Sequence, residues 1–154
     1  MACYSIEAVG WVRGGREAPD DDDWGASRAR IELEEDRFAA DALAGLAEFS
    51  HAEILFLFDR VGEAEVEHGA RHPRGRRDWP KVGIFAQRGK NRPNRIGLSA
   101  CRILGVDGLA LEVEGLDAID GTPVLDIKPV MSGFLPRGEV REPAWALEIM
   151  ERYW

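Results

Sequence analysis

Cysteine is scarce: Cys3 and Cys101 are the only two in 154 residues. Two cannot build a disulfide framework, and reduced thiols are the expectation for a cytosolic chain. Long apolar runs are missing too. The strongest, Ile54-Leu55-Phe56-Leu57-Phe58, falls far short of the ~20 residues that a membrane span needs. The N-terminus shows no basic start followed by an apolar stretch, so no secretory signal is expected. No Walker A loop, strand-linked Gly-x-Gly-x-x-Gly or Gly-x-Ser-x-Gly elbow occurs, which excludes phosphate cradling and serine hydrolysis by those devices. Histidine is also rare. His68 and His72 are four apart, but Gly69 and Pro73 argue against the helix that would align them, so no metal site is expected. The run Asp20-Asp21-Asp22-Asp23 lacks the glycine and terminal glutamate of a calcium loop and reads as a solvated loop.

What is present fits one domain spanning residues 1–154, soluble and cytoplasmic, with 45% apolar and 31% charged residues. The net charge of −8 argues against non-specific binding of nucleic acid, and no DNA or membrane partner is expected. The distribution is uneven. Residues 71–102 hold ten cations against one acid, Asp78, a balance of +9 in 32 residues. The other 122 residues hold ten cations against 27 acids, a balance of −17. This points to a local anion-binding surface on an acidic body, unless the arginines pair with that body.

Strand patterns dominate: Tyr4–Val12, Arg30–Glu34, Glu53–Asp59, Val82–Ala86, Leu98–Val106, Leu109–Glu114 and Val124–Lys128. Asp107-Gly108 predicts a hairpin between two of them. Period-2 geometry puts Asp126 and Lys128 on one face, and Leu125 and Ile127 on the other. Two short helices are predicted. One covers Asp36–Ala47, weakened by Gly45; the other follows Glu142-Pro143 and carries Ala146, Ile149, Met150 and Tyr153 on one face. With no βαβ rhythm, the expected fold is mainly β, a small antiparallel β-barrel.

The informative stretch is Gly83–Ser99, in which a strand opens into a loop of arginines, asparagines, proline and glycines before a strand resumes. Arginine presents a planar fork of donors for carboxylate or phosphate. Proline and restrained glycines limit the entropy lost on binding.

Three blocks in order, Leu46–His51, Gly83–Ser99 and Gly115–Pro129, resemble the TrmO/YaeB (TsaA-like) family of S-adenosylmethionine-dependent methyltransferases. The resemblance implies a TsaA-like barrel, a homodimer, and S-adenosyl-L-methionine as methyl donor. The best-known members methylate N6 of threonylcarbamoyl-adenosine at position 37 of a tRNA, so tRNA is the implied partner. By the same resemblance Asp59, Arg60, Arg88, Leu98, Ala118, Ile119, Asp120 and Gly121 line the cofactor pocket. An arginine suits the methionine carboxylate, an apolar slot suits adenine, and nearby carboxylates suit the sulfonium. Asp120 and Asp126 are the candidates to accept or orient the acceptor proton. Arg76, Arg77, Arg92 and Asn94 are the candidates to hold the acceptor. Two positions depart from the family pattern: Arg95 replaces a second proline, and Val130 replaces a tyrosine.

Plainer roles stay open at this level. Arg88 can serve a structural ion pair, Leu98 the core and Asp120 its own turn, while Asp126 can pair with Lys128. A methyltransferase for a small molecule or another RNA is the first rival function. A non-catalytic module binding S-adenosylmethionine or another anion is the second.

Overall fold

The structure is a computed structural model and describes residues 1–154. Its strands are β1 (Gly10–Arg13), β2 (Arg28–Leu33), β3 (His51–Leu57), β4 (Ala70–Arg71), β5 (Val82–Gly83), β6 (Ile96–Asp107), β7 (Ala110–Glu114) and β8 (Pro123–Pro129). Six of them close an antiparallel barrel in the order β1-β2-β7-β6-β3-β8, and β4 and β5 form a separate two-stranded ribbon. Closure is made by Gly10↔Val124 and Trp11↔Pro123 between β1 and β8.

Alternation along the strands fills the barrel. Val12, Ile31, Ile54, Phe56, Leu111, Val113 and Val124 point inward and are at most 1% exposed. Each fully buried side chain of this kind stabilises the fold by roughly 1.5–3 kcal/mol. Phe56 lies opposite Gly97, where a Cβ would stand 2.4 Å from the ring, so the glycine makes room for the largest core side chain. Cys101 is also in the core, and burial followed by the negative Asp117 pushes its thiol up to about 12. Leu43 and Leu46, from the segment between β2 and β3, join the same core.

The barrel follows the sequence-based expectation, with several differences at the element level. There is one α-helix, α1 (Ala144–Met150), not two. Asp36–Ala47 forms consecutive turns whose bonds span three residues, such as Ala42 N to Ala39 O and Ala44 N to Asp41 O. Gly45 at φ 85° breaks any continuous helix, and a 3-10 turn follows at Leu46–Glu48. Only Leu43 and Leu46 are buried in this stretch, too narrow an apolar face to sustain a helix. The first strand starts at Gly10 instead of Tyr4, because Tyr4 and Ile6 are exposed and find no pairing partner. Val82–Ala86 is extended only at Val82-Gly83, then turns 3-10 over Ile84–Ala86. In α1 the expected face holds in part: Ala146 and Ile149 are half-buried, whereas Met150 is 39% exposed.

Strand direction gathers the candidate residues. β3 leaves the barrel at the end where β6 and β8 enter it, as the pairs Leu57↔Ile96 and Phe56↔Val124 show. The segments at Asp59-Arg60, Arg92–Arg95 and Ala118–Thr122 therefore meet at one end of the wall. β1 joins them through Gly121 N to Val12 O at 2.8 Å.

Candidate functional site

The arginine-rich loop is pinned from below by two amides. Gln87, only 7% exposed, donates from Nε2 to the carbonyls of Arg71 (3.2 Å) and Val82 (2.9 Å), joining the two ribbon strands. Asn91 donates to the carbonyl of Glu65 (3.1 Å) and accepts from Arg71 Nη1 (3.4 Å). At the tip, Asn94 and Arg95 are both left-handed, at φ 63° and 53°. Proline is locked near −65°, so Arg95 occupies a conformation closed to the proline of the family pattern. Phe58 N bonds Arg95 O at 2.8 Å, tying this turn to the end of β3.

The arginines here rest on neutral acceptors. Arg88 donates to Leu98 O (2.6 Å), Arg92 to Gln87 O (2.8 Å), Arg95 to Val61 O (2.6 Å) and Arg60 to Asp120 O (3.3 Å). Among the ten cations of residues 71–102, three pair with a carboxylate: Arg74 with Asp22, Arg76 with Asp78 and Arg102 with Glu114. Elsewhere six of ten do so: Arg13, Arg16, Arg28, Arg30, Arg37 and Lys128. A carbonyl orients a guanidinium without cancelling its charge. The loop end of the barrel thus carries fixed positive charge, which is the physical requirement for holding an anion.

Leu98 is not a core residue. It is 41% exposed on the outer face of β6, in register with Leu55, which is in register with Asp126. With strands about 4.8 Å apart, the row Leu98–Leu55–Asp126 spans roughly 10 Å of barrel exterior. Asp126 Oδ2 pairs with Lys128 Nζ at 2.5 Å, and its Oδ1 accepts from Ile127 N at 3.0 Å. That pair raises the Lys128 ammonium above its ordinary value, chiefly through the hydrogen bond. A bulge between Leu55 and Phe56 shifts the β3–β8 register. Both Val124 and Ile127 consequently pack on the core despite their odd spacing.

Asp120 ties its turn to the loop after β1: Oδ1 accepts from Gly14 N at 2.8 Å, and its own N–H donates to Arg16 O at 2.8 Å. Ala118 is 4% exposed within the core, while Ile119 and Gly121 are half-buried. Asp59 is exposed beside Arg60. The structure thus brings Arg60 to the Asp120 turn, and Arg88 to Leu98 on the row that ends at Asp126. The acceptor candidates divide. Arg76 is held by both oxygens of Asp78 and stacks 3.9 Å from the Trp79 ring, and the Asp78 hydrogen bond raises its guanidinium. Arg77 and Asn94 are exposed, and Arg77 has no carboxylate partner. The aspartate run is a clamp: Asp22 takes Arg74 at 2.9 Å, and Asp20 takes Arg16 at 3.2 Å.

Sequence reasoning missed Gln87, Asn91 as a staple, and Asp117, which binds Ser99 and Tyr153. Gln87 carries no signal, since it looks like one more polar loop residue. Two surface depressions, about 390 and 350 Å³, are lined by none of the candidate residues. The first is lined by Trp11, Arg13 and Arg30, and the second by Leu43, Phe49 and Ile127.

Comparison with known proteins finds related sequences and structures. A tRNA (adenine(37)-N6)-methyltransferase of Mus musculus is 40% identical over 110 residues, covering 70% of this chain and 25% of that protein. A putative S-adenosylmethionine-dependent methyltransferase, RcsF, of Pseudomonas aeruginosa is 42% identical over 106 residues, covering 68% of this chain and 45% of that protein. The chain therefore matches less than half the length of either relative. A crystal structure of TrmO from Pseudomonas aeruginosa superposes with a TM-score of 0.72 at 30% identity, covering 91% of this chain and 62% of that one. The family model for the tRNA-methyltransferase O N-terminal domain matches residues 15–134. The chain belongs to the tRNA-methyltransferase O N-terminal domain family.

Proposed function

We propose that this protein transfers a methyl group from S-adenosylmethionine to N6 of adenine 37 in tRNA. One observation carries the reading: Arg60, Arg88, Arg92 and Arg95 are fixed on carbonyls at one end of the barrel and keep their charge. Family membership and the names of the relatives support the choice of donor and acceptor.

The residues fit the donor. Arg88 offers a guanidinium to its carboxylate, and the exposed Leu98 with Leu55 offers an apolar surface to its adenine. The backbone of Ala118–Gly121 and the Asp59-Arg60 pair close the cofactor side. When bound, the donor supplies an electrophilic methyl group on a sulfonium. The adenine amine is a weak nucleophile because its lone pair is delocalised, so orientation in line with that methyl group is the main task. Asp126, on the same outer row as Leu98, and Asp120 are the carboxylates that would accept or orient the amine proton. Arg77, Arg92 and Asn94 take the acceptor strand, with Arg76 following the backbone from its stack on Trp79.

A homodimer belongs to the same proposal. Phe134, Leu135 and Val140 are 87%, 51% and 67% exposed, apolar surface that a second copy would cover. Cytoplasm is the compartment the tRNA acceptor implies, and no helix is long and apolar enough to cross a membrane.

The test is methyl transfer with labelled donor, comparing bulk tRNA with a metabolite pool. Label entering tRNA supports the proposal. Label in a small molecule supports a different acceptor, and saturable donor binding with no transfer to either makes the protein a binding module.

A further inference from the structure

Asp117 joins three parts of the chain. Its Oδ1 accepts from the Ser99 hydroxyl and its Oδ2 from the Tyr153 hydroxyl. Its neighbours Leu116 and Ala118, in the loop between β7 and β8, are 1% and 4% exposed and anchor this stretch on the barrel core. Ser99 follows Leu98, whose carbonyl holds Arg88. β7 pairs with β6 only as far as Arg102↔Glu114, which leaves the β6 edge at Leu98–Ala100 without a strand partner. Arg88 fills that edge at Leu98, and Asp117 bonds the next residue.

Tyr153 is itself well anchored. Trp24 N bonds Tyr153 O and Asp23 N bonds Arg152 O, both at 2.8 Å. Trp79 Nε1 donates to Glu148 Oε2 on α1 at 2.6 Å. A Cβ at Gly25 would lie 2.7 Å from the Trp154 backbone, so the last residues pack closely against the segment before β2. Burial first, then the charge of Asp117, raise the Tyr153 hydroxyl above its ordinary value, so it stays a proton donor. Arg74 and Arg88 act in the opposite sense on that hydroxyl.

Asp117 bonds the residue that follows the one holding Arg88, so an ion pair between the two is the competing arrangement. Asp117 makes no ion pair with Arg88; the Ser99 and Tyr153 hydroxyls, one on each oxygen, set the direction in which its carboxylate points. We propose that Asp117, held by Ser99 and Tyr153, is a positioning residue that leaves Arg88 on the Leu98 carbonyl with its charge free for an anionic ligand. The C-terminal tyrosine is then a working part of the donor site. Remove its hydroxyl, and Asp117 Oδ2 loses its donor and captures Arg88.

This rests on Arg88 as the donor's carboxylate ligand. The test compares wild type with Tyr153→Phe and the double variant Tyr153→Phe/Asp117→Asn by S-adenosylmethionine calorimetry, thermal melting and ¹⁵N NMR of the Arg88 side chain. Tyr153→Phe is expected to weaken donor binding roughly tenfold, the scale of one charge-assisted contact, and to shift the Arg88 resonance. The double variant removes the competing charge and is expected to restore both. Equal weakening in both variants, or no change in Tyr153→Phe, overturns the proposal and leaves a purely structural contact. If wild type binds no donor, the functional reading falls. The Arg88 resonance still decides the capture: a shift in Tyr153→Phe that the double variant reverses upholds it, and an unmoved resonance overturns it.

Discussion

Arg88 donates through Nη2 to the carbonyl of Leu98 at 2.6 Å, and its charge meets no carboxylate within ion-pair distance. The half-exposed Leu98 side chain stands beside it on the outer face of β6. A fixed cation next to apolar surface is a recognition element for a ligand with one anionic and one apolar end. Replacing Arg88 by alanine is expected to weaken S-adenosylmethionine binding by ten- to a hundredfold, on the order of one charge-assisted contact, while leaving the melting temperature nearly unchanged. Calorimetry with a chelator present checks it. Unaltered affinity removes Arg88 from the site.

Arg76 and Arg77 are adjacent in sequence and differ in circumstance. Arg76 is paired with Asp78 and stacked on Trp79, whereas Arg77 has no partner. Arg77→Ala is therefore expected to weaken tRNA binding and to reduce the slope of log affinity against log salt by about one phosphate contact. Arg76→Ala is expected to change the slope less, because its charge is already balanced. Filter binding across a salt series reads both, and equal slope changes contradict the distinction.

Alkaline pH should unfold the barrel through its buried acids. The Cys101 thiol rises from 9.0 to about 12 on folding, and the Tyr153 hydroxyl moves upward as well. Below pH 9 the thiol is neutral in both states and its contribution is fully present. Between pH 9 and 12 only the unfolded chain ionises, so stability is lost as pH rises. The slope approaches about 1.4 kcal/mol per pH unit for one such group. Urea unfolding of wild type and Cys101→Ala across this range should show their stability difference narrowing with pH. A constant difference contradicts the account.

Gly97→Ala places a methyl group against the Phe56 ring, where the available gap is 2.4 Å. Overpacking of this kind costs about 1–3 kcal/mol. Chemical denaturation should show that loss, and Phe56→Leu in the same chain should recover part of it by making room.

The barrel was legible in the sequence because its strands alternate and Asp107-Gly108 marks a hairpin, which the structure places between β6 and β7. Asp36–Ala47 misled because alanines at helical spacing satisfy propensity without supplying an apolar face; only Leu43 and Leu46 are buried there. The arginine loop was legible as a cluster. Which arginines keep their charge was not, since pairing depends on partners such as Asp22, 52 residues away from Arg74. The Tyr153–Asp117 contact, 36 residues apart, is likewise a product of the fold alone.

On the proposed function, these arginines serve methyl transfer to tRNA. Its most direct test incubates the protein with methyl-labelled S-adenosylmethionine and total tRNA, then digests the RNA and identifies the labelled nucleoside. The account predicts label on N6 of the modified adenosine from position 37, lost in Arg88→Ala. Label on another nucleoside, or none in tRNA while the donor binds, would contradict it.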